Sequence, residues 1–262
     1  MAAYFQDYLL HLGDNAVILG QRNAQWCGHG PVLEEDLALA NNSLDLIGQA
    51  RLLYQHVATV RKDGKSSEDL LAYFRDVSDF KNYTLLELPH STALAPTSSG
   101  DRDYAVTIGR NFLYSALMVL VWEGLKSSTD AQLAAIAAKS LKEASYHLRH
   151  ARDWLLRLGD GTDESHTRMQ AAINHLMPYT QEFWAPSAME TAVAKSGQGV
   201  DARQLQGSWN AMVDEALAQA TLTRPAAGGF VSTGKTGVHS EHLGFVLAEM
   251  QSLARAHPEA VW

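Results

Sequence analysis

Two long runs of apolar residues at intervals of three and four positions constrain the fold of this chain more than any other feature. Such spacing places apolar side chains on one face of an α-helix. The first run comprises Leu33, Leu37, Ala40, Leu44, Ile47, Leu53 or Tyr54, Val57 and Val60. The second comprises Ala137, Leu141, Ala144, Leu148, Ala151, Leu155 and Leu158. They predict helices over about 33–60 and from near Asp130 to Gly159, each with an apolar face turned toward a core.

The order of the remaining segments indicates a helical bundle. Further helices are predicted at about 4–26, 101–126 (with Asp101 as N-cap), 163–184, 187–196, 201–222 and 240–256. A long connection, 61–100, holds a short helix from Glu68 to Arg75. Two helix pairs joined by one long crossover are typical of ferritin-like four-helix bundles. We predict an all-α, ferritin-like four-helix bundle with additional C-terminal helices. It forms a single domain over 1–262, with the core bundle at about 4–60 and 101–159 and the additional helices at about 163–262.

The composition excludes several classes of protein. The 21 basic and 29 acidic residues give a formal net charge of −8, so we expect no nucleic-acid partner, which would require clustered positive charge. The one cysteine, Cys27, is insufficient for a cysteine-based zinc or iron–sulfur site. We find no signal-peptide pattern. The longest apolar run, Phe112 to Trp122, is shorter than the ~20 residues that cross a bilayer. We expect a cytoplasmic protein without a membrane segment.

The middle of the predicted bundle lacks the pattern of a di-metal centre. Such a centre takes a Glu from each of two helices and a Glu-x-x-His from each of the other two. In the helix 33–60, the stripe positions three apart are Leu44 and Ile47, both aliphatic. In the later helix, Ala144 lies three residues before His147, which we interpret as a hydrogen-bonded core histidine. We expect no metal site here, and Leu44→Ala should cost about 2–5 kcal/mol through lost packing.

Other chemistry-bearing residues leave a second interpretation open. A di-iron or mononuclear metal oxidase could use His147 with the acidic residues Glu143, Asp14 and Asp45. Glu143 and His147 are four apart, which places them on one helix face. The spacing is nevertheless one longer than that of the carboxylate-bridged motif.

Two features near the C-terminus also allow more than one interpretation. His239-Ser240-Glu241-His242 is either a helix start with Ser240 as N-cap or a surface metal or substrate contact. The glycine-rich segment 228–237 has the letters of a phosphate loop, but no strand precedes it, so we do not expect a nucleotide site. A third hypothesis is that the chain is a helical acyl-CoA-binding protein in which Lys235 contacts the phosphates.

Several longer motifs resemble one family. They are Leu12-Gly13-Asp14-Asn15, Trp26-Cys27-Gly28-His29, Asp36-Leu37-Ala38-Leu39-Ala40-Asn41, Leu44-Asp45-Leu46-Ile47-Gly48-Gln49-Ala50-Arg51, Lys142-Glu143-Ala144-Ser145-Tyr146-His147-Leu148-Arg149 and 233–244. Together they are similar to the structural, non-catalytic C subunits of bacterial phenylacetyl-CoA epoxidases, which are ring 1,2-monooxygenase complexes. The resemblance covers nearly the whole chain.

The resemblance implies a partner and the loss of a metal site. The catalytic subunit of such complexes is a related ferritin-like protein whose di-iron site inserts an oxygen atom from O₂ into the ring of phenylacetyl-CoA. The positions matching its ligands are Ala16, Leu44, Ile47, Ser115 and Ala144, with His147 retained. The chain would then have no catalytic or cofactor-binding residues of its own. It would bind the di-iron subunit, and help to dock other small subunits and a reductase that supplies electrons from NADPH.

Overall fold

A computed structural model of the chain describes residues 2–94 and 102–260, and it confirms the all-α class over these residues. The chain forms two compact units. The first comprises Met1–Leu88 with Thr233–Trp262, and the second comprises Pro89–Ser232. The order of a long helix pair, a connection and a second long pair is as predicted for a ferritin-like chain. The assignment of 1–262 to one domain stays a prediction. The proposed N-cap Asp101 lies outside the described residues.

The α-helices follow the predicted order closely. They are α1 (Ala2–Ala24), α2 (Leu33–Arg61), α3 (Glu68–Tyr73), α4 (Thr84–Glu87), α5 (Tyr104–Leu125), α6 (Ala131–Gly159), α7 (Asp163–Leu176), α8 (Ala188–Lys195), α9 (Gln206–Gln219) and α10 (Glu241–Ala256). Short 3₁₀ segments cover Val77–Asp79, Met177–Trp184, Ala202–Leu205 and Gly234–Thr236. The segment predicted as one helix over 163–184 changes to 3₁₀ geometry at Met177. Pro178 follows at that point, and it has no N–H to continue the α-helical ladder.

In the first unit, α1 packs along α2, and α10 packs on α1, α3 and α4. Leu9 and Ile18 of α1 and Leu39 and Leu53 of α2 are fully buried between these elements. The first unit therefore combines segments from both ends of the sequence. Ser240, just before α10, donates a hydrogen bond to Glu87 of α4, which lies 153 residues away along the chain. Hydrogen bonds that join Glu87 to His239 and Ser240 attach that segment to α4.

In the second unit, α5 packs along α6, and α7 and α9 cover the pair. The apolar face predicted for α6 is confirmed in its central line, since Ala137, Ala144, Ala151 and Leu155 are buried. The leucines at its margins are half-buried, namely Leu141, Leu148 and Leu158. The predicted start of α6 is also confirmed, because the Asp130 side chain accepts a 2.8 Å hydrogen bond from the backbone N–H of Leu133. The indole N–H of Trp209 in α9 donates to a backbone carbonyl of α5 at 3.0 Å, which attaches α9 to α5.

The helix α5 satisfies the length and composition of a membrane span over Tyr104–Leu125. The chain thus contains a longer apolar segment than Phe112 to Trp122, on which the sequence prediction relied. Of its most apolar window, however, 89% is buried inside the protein, which is typical of a core helix. Its N-cap is Asp103, whose side chain accepts a 2.9 Å hydrogen bond from the N–H of Ala105.

The apolar run at the start of α2 does not face the core, so the prediction that Leu44 and Ile47 fill it is wrong. Leu33 is 72% exposed, Leu37 56%, Leu44 67% and Ile47 40%. The buried residues of α2 are Glu35, Leu39, Asn42, Ser43, Leu46, Gln49, Ala50, Leu53, Tyr54, His56 and Val57. Spacing of three and four defines a stripe but not its direction. In α2 one stripe faces outward, and a second stripe, displaced around the helix, packs on the neighbouring helix.

Leu44→Ala is therefore expected to change the free energy of unfolding by no more than about 0.5 kcal/mol, as exposed substitutions do. The matched substitution Leu46→Ala, in the same helix turn but 4% exposed, should cost about 2–5 kcal/mol. Urea unfolding followed by circular dichroism measures both. Equal losses for the two variants would contradict the orientation of α2.

Candidate functional site

The residues predicted to occupy former ligand positions lie in two different environments. Ala16, Ser115, Ala144 and His147 are buried, as predicted, whereas the pair in α2 is exposed. Their correspondence to ligands in a catalytic subunit stays a prediction. Ala16 belongs to the first unit, and the other three buried residues belong to the second.

The buried face of α2 repeats the three-residue spacing with a different pair of residues. Leu46 and Gln49 are three apart and are both buried, and Asn42 lies one turn earlier on the same face. An aliphatic side chain and neutral amides replace the carboxylate and imidazole that a di-iron site requires. The residues that the middle of α2 turns inward therefore do not supply the Glu-x-x-His element of a di-iron centre, and the buried Glu35 and His56 lie toward opposite ends of the helix.

The other candidate ligands are engaged by neighbouring residues. Glu143 forms a 3.0 Å ion pair with Lys139 one turn earlier in α6. His147 is buried, and its ring lies edge-on to Tyr146 with centroids 6.2 Å apart. Over residues 2–94 and 102–260, no three His, Cys, Asp or Glu side chains lie close enough together to hold a metal ion.

The densest polar cluster surrounds Asp14, which lies at the middle of α1 and is fully buried. Its carboxylate accepts a 2.6 Å hydrogen bond from the Tyr54 hydroxyl and a 2.8 Å bond from the backbone N–H of Lys81. Both terminal nitrogens of Arg75 donate to the same carboxylate, one to each oxygen. A two-pronged guanidinium–carboxylate pair is among the strongest charge-assisted hydrogen-bond arrangements in proteins. Asp14 is thus saturated by groups of the protein itself.

Arg75 extends this cluster to other parts of the first unit. Its Nε donates to the carbonyl of Leu71 at 2.5 Å, and one terminal nitrogen donates to the carbonyl of Asp79 at 3.0 Å. The guanidinium also lies 4.2 Å from the centroid of the Phe80 ring, which is a cation–π distance. Arg75 therefore fixes the connection between α3 and α4 against α1.

Tyr54 and His11 stay neutral in this environment. Burial, followed by the charge of Asp14, raises the pKa of the Tyr54 hydroxyl well above its usual range. Burial lowers the pKa of His11 to about 4, although a hydrogen bond to the Lys81 carbonyl partly opposes the change. In that neutral ring Nδ1 donates to the Lys81 carbonyl at 2.6 Å, and Nε2 accepts from the Asn15 amide at 3.3 Å.

A second buried carboxylate, Glu87 at the end of α4, holds the C-terminal segment. Glu87 accepts hydrogen bonds from Asn82 at 2.9 Å, from the backbone N–H of Ser240 at 2.6 Å, and shares a 2.8 Å contact with His239 Nδ1. The other ring nitrogen of His239 donates to the Phe80 carbonyl at 2.8 Å. Since both ring nitrogens face acceptors, one proton must lie between Glu87 and His239. The pair is neutral as a whole, whichever side holds that proton.

The histidines and the helix start near residue 240 are structural parts of the first unit. The side chain of His239 is fully buried, which excludes a surface metal or substrate contact there. Ser240 occupies the N-cap position as predicted, but its side chain makes no capping bond. Glu87 instead satisfies its backbone N–H. His242 is buried, whereas Glu241 is exposed in the first turn of α10.

The glycine-rich loop also has a packing role. A Cβ on Gly234 would lie 2.5 Å from the carbonyl oxygen of Asn82, so only glycine allows this approach. Gly237 has a φ of 88°, in the left-handed region that favours glycine. Lys235 between them is buried, with its ammonium 5.9 Å from the centroid of the Tyr83 ring. This geometry opposes a phosphate contact by Lys235.

Sequence reasoning found Asp14 and His239 but missed Tyr54, Arg75 and Glu87 as their partners. Arg75 and Glu87 lie in the long connection, where the sequence has no helical periodicity from which burial could be predicted. The usable signal was a charge placed within an apolar stretch, as for Glu87 after Leu85 and Leu86. Such charges are buried only when paired. Chemically, the two networks connect segments of one unit and leave no free acid, base or nucleophile among their members.

Two comparisons with known proteins identify relatives of this chain. The family described as phenylacetic acid catabolic protein matches residues 2–262. A protein of Escherichia coli strain K12, named as the C subunit of 1,2-phenylacetyl-CoA epoxidase, is 44% identical over 255 residues, which are 97% of this chain and 98% of the relative. The chain is therefore an all-helical protein with structural polar networks. It belongs to the phenylacetic acid catabolic protein family.

Removal of Arg75 should show how much the first unit depends on the Asp14 pair. Arg75→Ala leaves a buried carboxylate without its counter-ion, and we expect a loss of about 3–5 kcal/mol in the free energy of unfolding. The control Arg51→Ala breaks an ion pair whose arginine side chain is 66% exposed, so it should cost at most about 1 kcal/mol. Urea unfolding measures both, and similar losses would contradict the structural role of Arg75.

His11 predicts a defined pH dependence of stability. Above pH 6.5 the ring is neutral in both the folded and the unfolded state and contributes nothing. As the pH falls from 6.5 toward 4, the unfolded chain takes up a proton that the folded chain does not. The free energy of unfolding should therefore fall, by up to about 3 kcal/mol. His11→Gln should flatten this decline, whereas His257→Gln, at an exposed position, should retain the wild-type curve. A decline of the same size in His11→Gln would contradict the assignment.

Proposed function

We propose that this chain is the non-catalytic structural subunit of a phenylacetyl-CoA epoxidase complex in aerobic phenylacetate catabolism. In this proposal it binds and stabilises a homologous di-iron subunit, which carries the oxygenation chemistry. The observation that carries the proposal is the chemistry of the inward-facing residues. Leu46 and Gln49 cannot supply a carboxylate–histidine pair, and two of the most deeply buried acids, Asp14 and Glu87, are saturated by protein groups.

The comparisons support the part of the proposal that concerns an epoxidase complex. The relative from E. coli is named as one subunit of an epoxidase, and the match covers nearly the full length of both chains. A subunit of such an enzyme has partner chains, so we expect this chain to function as part of a hetero-oligomer. The di-iron subunit, other small subunits and a reductase are its proposed partners, and the cytoplasm is its proposed location.

The alternative function, a metal oxidase in its own right, gains no support from the structure. It would require His147, Glu143, Asp14 and Asp45 as ligands. The Asp14 carboxylate already accepts hydrogen bonds from Arg75, Tyr54 and Lys81, and a metal ion would have to displace them. The acyl-CoA reading depends on Lys235, which is buried.

Iron binding and partner stabilisation together test the proposal. After loading of the purified chain with ferrous iron and gel filtration, we expect essentially no retained iron. Co-expression with a di-iron subunit from the same source should increase the soluble yield of that subunit and its oxygen uptake with phenylacetyl-CoA and NADPH. Co-expression with an unrelated helical protein is the control for that increase.

Two outcomes would overturn the proposal. Retention of about two irons per chain, the content of a ferritin-like carboxylate site, would make this chain a metal-binding subunit. Full yield and full epoxidase activity of the di-iron subunit without this chain would remove the structural role.

A further inference from the structure

The outward-facing stripe of α2 has the spacing of a helix–helix seam. We call Leu33, Leu37, Ala40, Leu44 and Ile47 the α2 seam. Its intervals are four, three, four and three, and four of its five members are exposed large apolar residues. Intervals that average 3.5 residues are what a second helix requires to pack by knobs into holes. The first unit buries the other side of α2, and among the described residues none covers the four large apolar members of the seam, which stay 40–72% exposed.

A glycine beside the seam is not explained by packing within this chain. Gly48 lies in the interior of α2, immediately after Ile47, and a Cβ built there meets no atom within 4 Å. At Gly13 of α1, by contrast, a Cβ would lie 2.7 Å from the Tyr54 ring, so this chain's own packing requires that glycine. Glycine destabilises a helix interior relative to alanine. Gly207 of α9 is equally open, but Gly48 also lies beside four exposed apolar residues, and a second backbone approaching this apolar strip would account for both features.

The charges around the seam indicate which kind of helix approaches. Residues 33–50 contain four acids and no Lys, Arg or His, and of these acids Glu35 is buried while the other three keep solvent exposure. Arg51, four positions after Ile47, forms an ion pair with Glu68. Glu34, Glu35 and Asp36 lie in the first turn of α2, where they also complement the helix dipole. A second copy of this chain would bring the same acidic segment, and like charges oppose such pairing. A helix with lysine or arginine beside its own apolar seam would complement it.

We propose that the α2 seam docks a helix of the di-iron subunit, with basic side chains beside its apolar positions and its backbone closest to α2 at Gly48. This inference rests on the proposed function, because that function supplies a partner of related helical fold. It goes further by naming the surface, the point of closest approach and the sign of the partner's charge.

The test uses Gly48, where a larger side chain should favour the isolated helix but obstruct the binding of a partner helix. In the isolated chain Gly48→Ala should raise the melting temperature by a few degrees, because alanine favours the helix and the space is open. Gly48→Leu should also fold, but it should weaken binding to the purified di-iron subunit at least tenfold. Gly207→Leu is the matched control, since Gly207 in α9 also has no atom within 4 Å of a built Cβ. It should leave the affinity unchanged.

Surface-immobilised di-iron subunit, titrated with each variant at two salt concentrations, gives the affinities. Glu34→Lys should weaken binding, more strongly at low salt than at high salt. Wild-type affinity of Gly48→Leu would overturn the seam proposal and leave the proposed function standing. Failure of the wild-type chain to bind would overturn the proposed function itself. A homodimer in analytical ultracentrifugation that Gly48→Leu dissociates would assign the seam to a second copy and overturn the choice of partner.

Discussion

The burial of Asp14 in the middle of α1 is the constraint on which the first unit depends. Transfer of a carboxylate from water into a protein interior costs several kcal/mol unless the carboxylate is paired and hydrogen-bonded there. Removal of its partner leaves this desolvation cost uncompensated. The required groups come from α2, from the residues after α3 and from the backbone at Lys81. Arg75 thereby has a fixed position, and its carbonyl accepts hydrogen bonds from Gln251 and Arg255 of α10. One buried charge therefore organises segments from both ends of the sequence.

The sequence predicted helices and their order well because these follow from local periodicity and caps. Asp130 as N-cap of α6 and Gly159 as its last residue are examples. The prediction failed on the direction of the α2 stripe, since spacing is the same whether a stripe faces a core or another chain. It also missed the partners of Asp14 and Glu87. Tyr54 lies 40 residues from Asp14, and Ser240 lies 153 residues from Glu87, so only the tertiary fold brings them together.

The interior of the first unit contains two different kinds of polar or apolar filling. In the middle of α2 the inward side chains include Leu46 and Gln49, an apolar group and a neutral amide that need no counter-charge. In α1 and α4 carboxylates are present, but arginine, tyrosine, histidine and backbone N–H groups satisfy them. A metal ion and an arginine both neutralise a buried carboxylate. The arginine is supplied by the chain itself, so Asp14 finds its counter-charge within the first unit.

The proposed docking of a partner helix explains why α2 presents large apolar residues to solvent. Leucine and isoleucine at exposed helix positions contribute no burial to the isolated chain, and a continuous apolar strip favours nonspecific association. A helix-interior glycine adds a further local cost. In the part of the chain that the structure describes, no neighbouring element lies within 4 Å of a Cβ built on Gly48, so no contact there compensates for these two costs. Both are offset when a partner helix covers the strip and approaches the bare Cα. The stability of the assembled complex, and not that of the single chain, is then the quantity that these residues increase.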